Sequence, residues 1–213
     1  MIEALFMLLR PQLTRQAALM WTAEPAVDLY GAWLRSSYHA MRHTPELLRA
    51  ALDQCSRRDD PTSRQLAPYL HFQLVEESGH HEWALSDLQA VYGKPVSAGP
   101  EPPAVANMVG RQRALLLRHP VALLSHIAAL ESTPPTMALV RDLRSRTGLP
   151  DSAFRTLIGH SELDVDHGDV LTRLLKELDP EPALQQLIRR SLIASVTDQI
   201  SVMHSIRDIR GKP

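Results

Sequence analysis

The sequence predicts an all-α, single-domain protein, and three observations carry that prediction. Only nine glycines occur in 213 residues, while Leu, Ala, Arg, Glu and Gln are abundant and aromatic or β-branched runs are few, a balance that favours helix over strand. No segment alternates apolar and polar residues with the period of two that a half-buried strand requires, whereas apolar residues recur at helical spacing along most of the chain. A chain of 213 residues is long enough to bury a sizeable core and short enough to form one.

Residues 1–24 read as an N-terminal arm or short helix, and seven helical segments follow, near 25–42, 45–57, 62–92, 103–118, 120–146, 151–177 and 181–208. Thr44 and Pro45 are expected to open the second of these as cap and first residue. Gly93, Pro95 and the run Gly99-Pro100-Glu101-Pro102-Pro103 close the third. That run is the one linker-like stretch; it is short, and the apolar faces on both sides need each other, so it is expected to be a surface loop within one domain covering residues 1–213. Pro134-Pro135 must kink or end the fifth segment, because each ring removes a backbone donor. The last segment carries Leu184, Ile188, Leu192, Val196 and Met203 on one stripe, which either packs on the core or, with the apolar arm, forms a homodimer contact.

Charge and cysteine content exclude several function classes. With 23 basic and 24 acidic residues and no long run of one sign, the chain has no electrostatic footprint for nucleic acid or an anionic membrane. Cys55 is the sole cysteine, so there is neither an intramolecular disulfide nor a thiolate metal site, and a reducing compartment is the natural setting. The opening stretch MIEALFMLLRPQ has no basic leader, no small-residue cleavage site and too few apolar residues to span a bilayer. A cytoplasmic protein acting on a small molecule is the expectation.

The chemistry lies in residues 160–167, HSELDVDH. At about 100° per residue, with His160 as zero, Asp164 falls near 40° and His167 near −20°, on the face that carries Leu157, Leu163 and Leu171. Glu162 and Asp166 point to the opposite side, a solvated face. A second helix places Glu77 in line with Leu70, Leu74, Ala84 and Leu88. His80 and His81 lie to either side of that line, so the wheel leaves the choice between them open. A third places Glu131 in line with Leu124, Ile127 and Ala128, one turn before Pro134-Pro135, where a kink would open a channel toward the carboxylate. Burying three uncompensated carboxylates would cost more than the ~5–15 kcal/mol that holds an ordinary domain together. Metal ions resolve that cost. The inward set Glu77, His80, Glu131, His160, Asp164 and His167 offers hard oxygen and imidazole donors without sulfur, enough for two ions, a set that suits Fe(II), Mn(II) or, less specifically, Zn(II).

The combination Glu77-x-x-His80, a lone Glu131 on a later helix and His160-x-x-x-Asp164-x-x-His167 resembles the heme-oxygenase-like diiron oxidases and oxygenases, the iron-containing redox enzymes. The resemblance covers roughly residues 25–206. It implies a seven-helix, heme-oxygenase-like bundle that binds no heme, two iron ions as cofactors, O2 as co-substrate and an external electron donor. It also implies one iron held mainly by Glu77, His80 and His160 and the other mainly by Glu131, Asp164 and His167, with Glu76 and His81 in reserve for Glu77 and His80, since some relatives space that first pair more widely. Members oxygenate amines or amino-acid derivatives at nitrogen, or cleave C–H and C–C bonds oxidatively. The competing expectation is a ferritin-like binding or storage bundle, against which stands the second motif: ferritin-like sites repeat Glu-x-x-His rather than use His-x-x-x-Asp-x-x-His.

Overall fold

The computed structural model describes residues 2–161, 174 and 177–208, and among them helices alternate with short turns and no strand occurs. In chain order the helices are α1 (Ile2–Trp21), α2 (Ala26–Ser56), α3 (Pro61–Glu76), α4 (His80–Tyr92), α5 (Pro103–Leu116), α6 (Ala122–Glu131) and α7 (Met137–Thr147). A 3-10 turn, Asp151–Ala153, leads into α8 (155–161), and α9 (Pro182–Arg207) ends the described chain. Among the described residues no helix is long and apolar enough to cross a membrane.

Four boundaries differ from the sequence expectation. The N-terminal arm is a full helix, α1, whose Leu5, Phe6, Leu9 and Leu13 pack on Leu192, Val196 and Met203 of α9. The apolar stripe of α9 is therefore covered largely from within the chain. Thr44 and Pro45 do not start a helix; α2 runs through them. Proline there costs one backbone hydrogen bond, the Thr44 hydroxyl donates to Ala40 O at 3.2 Å, and the ring is buried where α2 packs between its neighbours. Segment 62–92 is broken into α3 and α4 at Glu77-Ser78-Gly79, where Gly79 takes a φ of 94° that side chains rarely adopt. Segment 120–146 is broken into α6 and α7 by Ser132–Thr136, so the two prolines end the helix.

Long α2 is the axis of the bundle. Gly31 lets α4 approach closely, since a Cβ there would sit 2.5 Å from the Tyr92 hydroxyl. Tyr30, fully buried, stacks on Phe154 and donates to Ala153 O at 2.7 Å, which pins the turn before α8 to α2. On the other side, Ser125 and Ser191 hydroxyls donate across α6 and α9 to Ile188 O and Ala122 O, small side chains that permit close helix contact. Fully buried Leu66, Leu70, Leu124 and Ile188 fill the core between α3, α6 and α9, each contributing roughly 1.5–3 kcal/mol by burial. The loop before α5 is held by His43, whose Nε2 lies 2.8 Å from Glu101 and whose Nδ1 lies 3.1 Å from Glu46.

Candidate metal centre

Three of the six expected residues meet. Glu77, His80 and His160 each bring one donor atom to within 4.8 Å of the others. Their sequence origins differ from a simple Glu-x-x-His helix: Glu77 is the C-cap of α3, His80 is the first residue of α4, and the turn through Gly79 folds the second toward the first. His80 Nδ1 stands 3.4 Å from Glu77 Oε2. His80 is 4% exposed, whereas His81 is half-buried with its ring edge-on to Tyr38. His160 lies on α8, its ring centroid 5.3 Å from that of His80. His160 Nδ1 is 2.8 Å from Thr156 O; a carbonyl only accepts, so the proton sits on Nδ1 and Nε2 carries the lone pair. A ligand imidazole is commonly oriented in this way.

Glu131 sits at the end of α6, half-buried, and accepts from Gln73 Nε2 at 3.3 Å. Gln73, one turn before Glu77 and 1% exposed, also donates to the Tyr69 hydroxyl at 3.0 Å. Burial, then the charge of Glu131, pushes the Tyr69 phenol far above its usual range, so it stays protonated. Asp164 and His167, with Glu162 and Asp166, lie outside the described residues.

Trp83 ties the imidazoles together. Its ring centroid lies 4.0 Å from that of His80 and 6.2 Å from that of His160. The Arg155 guanidinium covers its ring at 5.0 Å. A Cβ at Gly159 would stand 2.7 Å from Trp83 Cζ3, so α8 needs glycine at this contact. Asp87, fully buried on α4, accepts from the backbone N–H groups of Arg155 at 3.2 Å and Thr156 at 2.7 Å. Burial pushes its carboxyl above the usual range against the opposing pull of those bonds. Sequence reasoning left Gln73 and Asp87 unread. For Asp87 the signal was present: it falls about 20° from His80 on the wheel of α4.

A cavity of about 700 Å³ opens on Glu77, Glu131 and His160. Trp33, Met41, Leu48, Met108, Ile127 and Val202 give it apolar walls, and Ala17 and Trp21 of α1 form a further side. Ser132 to Thr136, the break after α6, also line it, so the proline pair borders an opening beside Glu131. Among the described residues the cation on its wall is Arg10; Arg35 and Arg113 are engaged elsewhere, with Tyr92 and Glu46.

The donor set fits a divalent metal. One carboxylate and two imidazoles converge, His80 Nδ1 is buried and makes no hydrogen bond among the described residues beyond its 3.4 Å approach to Glu77 Oε2, and no thiolate takes part, since Cys55 is the sole cysteine. That set suits iron or manganese better than structural zinc.

The fold is shared with solved proteins of low sequence identity. A domain of unknown function from Shewanella denitrificans, with a heme oxygenase-like fold, superposes with a TM-score of 0.72 at 17% identity, over 92% of this chain and 90% of that one. A CADD-like protein of unknown function from Nostoc punctiforme gives 0.71 at 13%, over 97% and 96%. A TenA homologue from Pseudomonas syringae pv. tomato gives 0.64 at 11%, over 92% and 91%. No curated protein matches the sequence. The family model described as iron-containing redox enzyme matches residues 31–197, a span that runs from α2 to α9 and takes in every candidate ligand; with its heme oxygenase-like fold, the chain belongs to the iron-containing redox enzymes.

Proposed function

We propose that this protein is a nonheme diiron oxidase or oxygenase that uses O2 and external electrons to oxidise a small organic substrate, at nitrogen or by C–H or C–C cleavage. The observation that carries the reading is the convergence of Glu77, His80 and His160, of which Glu77 and His160 line the apolar cavity. One iron would be held by these three residues and a second by Glu131, Asp164 and His167, the latter two on the strength of the motif alone. Bound iron supplies the one-electron chemistry and O2 activation that no side chain provides.

The chain's own residues do the rest. Thr156 O holds His160 by its Nδ1 proton and so presents Nε2. Gln73 holds Glu131 by an amide N–H while its other contact, the Tyr69 hydroxyl, remains a neutral phenol. Trp33, Met41, Leu48 and Ile127 exclude water from the space beside the ligands and seat an apolar substrate body there. A cavity of about 700 Å³ beside the ligands favours a catalyst over a storage bundle, which needs no organic site.

Anaerobic titration with Fe(II), followed by metal analysis, tests the proposal. Two irons per chain are expected, with the stoichiometry lowered in His160→Ala and Asp164→Ala variants; binding of no more than one metal, or unchanged stoichiometry in the variants, overturns it. O2 uptake by the loaded protein against amines, amino acids and fatty acids then identifies the substrate class.

A further inference from the structure

We infer that Asp87 is a positioning residue for the metal centre: its carboxylate, reaching from α4 to the first backbone amides of α8, sets the register at which His80 and His160 face each other. This inference rests on His80 and His160 being metal ligands, as proposed above.

Helix α8 begins without a local cap. Its first hydrogen bond runs from Ile158 N to Phe154 O at 3.0 Å, so Phe154 occupies the capping position with a side chain that accepts nothing. The amides that a Ser or Asp at that position would satisfy are those of the first turn, and Asp87 takes two of them, Arg155 N and Thr156 N, with one oxygen each. The cap is thus supplied by another helix, where it fixes position as well as stability.

Contacts between the two helices form a ladder of opposite direction. Asp87 meets residues 155 and 156, Trp83 meets Gly159, and His80 meets His160. Descending α4 by the seven residues from Asp87 to His80 accompanies a climb of four or five on α8, from residues 155 and 156 to His160, and ends with the imidazole centroids 5.3 Å apart. The middle rung is apolar and indifferent to small sliding, apart from the missing Cβ at Gly159. Asp87 is the rung with direction, since two donors aimed at two oxygens of one fully buried carboxylate leave little freedom. A slip of one residue moves a ligand about 1.5 Å along the helix and about 100° around it, which is enough to take either imidazole out of a shared coordination sphere.

The test uses Asp87→Asn, which keeps the shape and one acceptor, beside Asp87→Ala. Asp60→Asn is the matched control: Asp60 caps α3 through Ser63 N at 2.7 Å, away from the ligands, and the substitution likewise removes the charge and keeps one acceptor. Co(II) serves as the probe, because its visible absorption reports coordination directly. In Asp87→Asn the affinity for Co(II) is expected to fall by about tenfold or more, as for other groups that orient ligands, with a changed visible band, while Asp60→Asn lowers thermal stability but leaves affinity and band as in the wild type. If Asp87→Asn and Asp60→Asn both keep wild-type affinity and spectrum, and His160→Ala loses them, Asp87 is merely a cap and the positioning role is overturned while the metal assignment stands. A wild type whose Co(II) binding survives both His80→Ala and His160→Ala overturns the assignment and the positioning role together.

Discussion

At the scale of single residues, the site depends on contacts with no slack. Gly159 has no room for a methyl group against Trp83, so Gly159→Ala is expected to destabilise the fold by about 1–3 kcal/mol through overpacking. Denaturant unfolding of the apoprotein measures this, and a parallel loss of metal affinity is expected because the displaced indole carries both imidazoles with it. A second residue sets behaviour in acid. His126 is fully buried on α6, and desolvation lowers its pKa from 6.5 to about 4. The unfolded chain therefore binds the proton more readily than the folded one, and stability rises with pH between about 4 and 6.5, falling by a few kcal/mol on acidification through that window. His126→Gln is expected to flatten the profile of unfolding free energy over the same interval, which denaturant titrations at several pH values read directly.

At the scale of elements, breaks in helices matter as much as helices. Gly79→Ala forces a side chain into a left-handed conformation, with φ at 94°, at a cost of about 1–2 kcal/mol. Because this turn aims His80 at Glu77, metal affinity is expected to drop with stability, a pairing that calorimetry and metal titration distinguish. Arg146 has a comparable role far from the ligands. Its guanidinium donates to Trp21 O at 2.7 Å, Ala23 O at 3.0 Å and the Glu24 and Asp142 carboxylates, joining the end of α1 to α7. Arg146→Lys cannot span these acceptors, and hydrogen exchange is expected to speed up in the last turn of α1 before it does in α2. These boundaries also mark what was legible in the sequence. Helical periodicity placed Glu77, Glu131 and His160 on inward faces, and all three line the cavity. The break at residues 77–79 was hidden because Glu77, Ala84 and Leu88 happen to fall in line on a continuous wheel, although Ser78-Gly79 is a turn signal. Pro45 misled in the opposite sense, as packing around α2 outweighs one absent hydrogen bond. Asp87 was unreadable as a cap because its partners lie in another helix, and capping rules are local.

At the scale of the whole molecule, the all-α class followed from composition and period, whereas the cavity did not, because it is made by side chains from helices distant in sequence. Helix α1, read from sequence as an arm or short helix, is one of its walls. Ala17→Trp, which fills that side without touching a candidate ligand, is expected to leave iron stoichiometry unchanged and to reduce substrate-dependent O2 uptake severalfold. Unchanged uptake with the preferred substrate would exclude this space as the seat of catalysis.

The turn between Glu77 and His80 has a consequence for how such centres diverge. Along an uninterrupted helix, two side chains share a face only at separations that nearly complete whole turns, so inserting one residue rotates the partner away by about 100°. Across a loop that constraint disappears, and a residue gained or lost can be absorbed while both helices keep their packing. The spacing of this acid and imidazole is therefore free to drift among relatives without loss of the centre, and a search that demands a fixed interval between them will pass over chains built on the same plan.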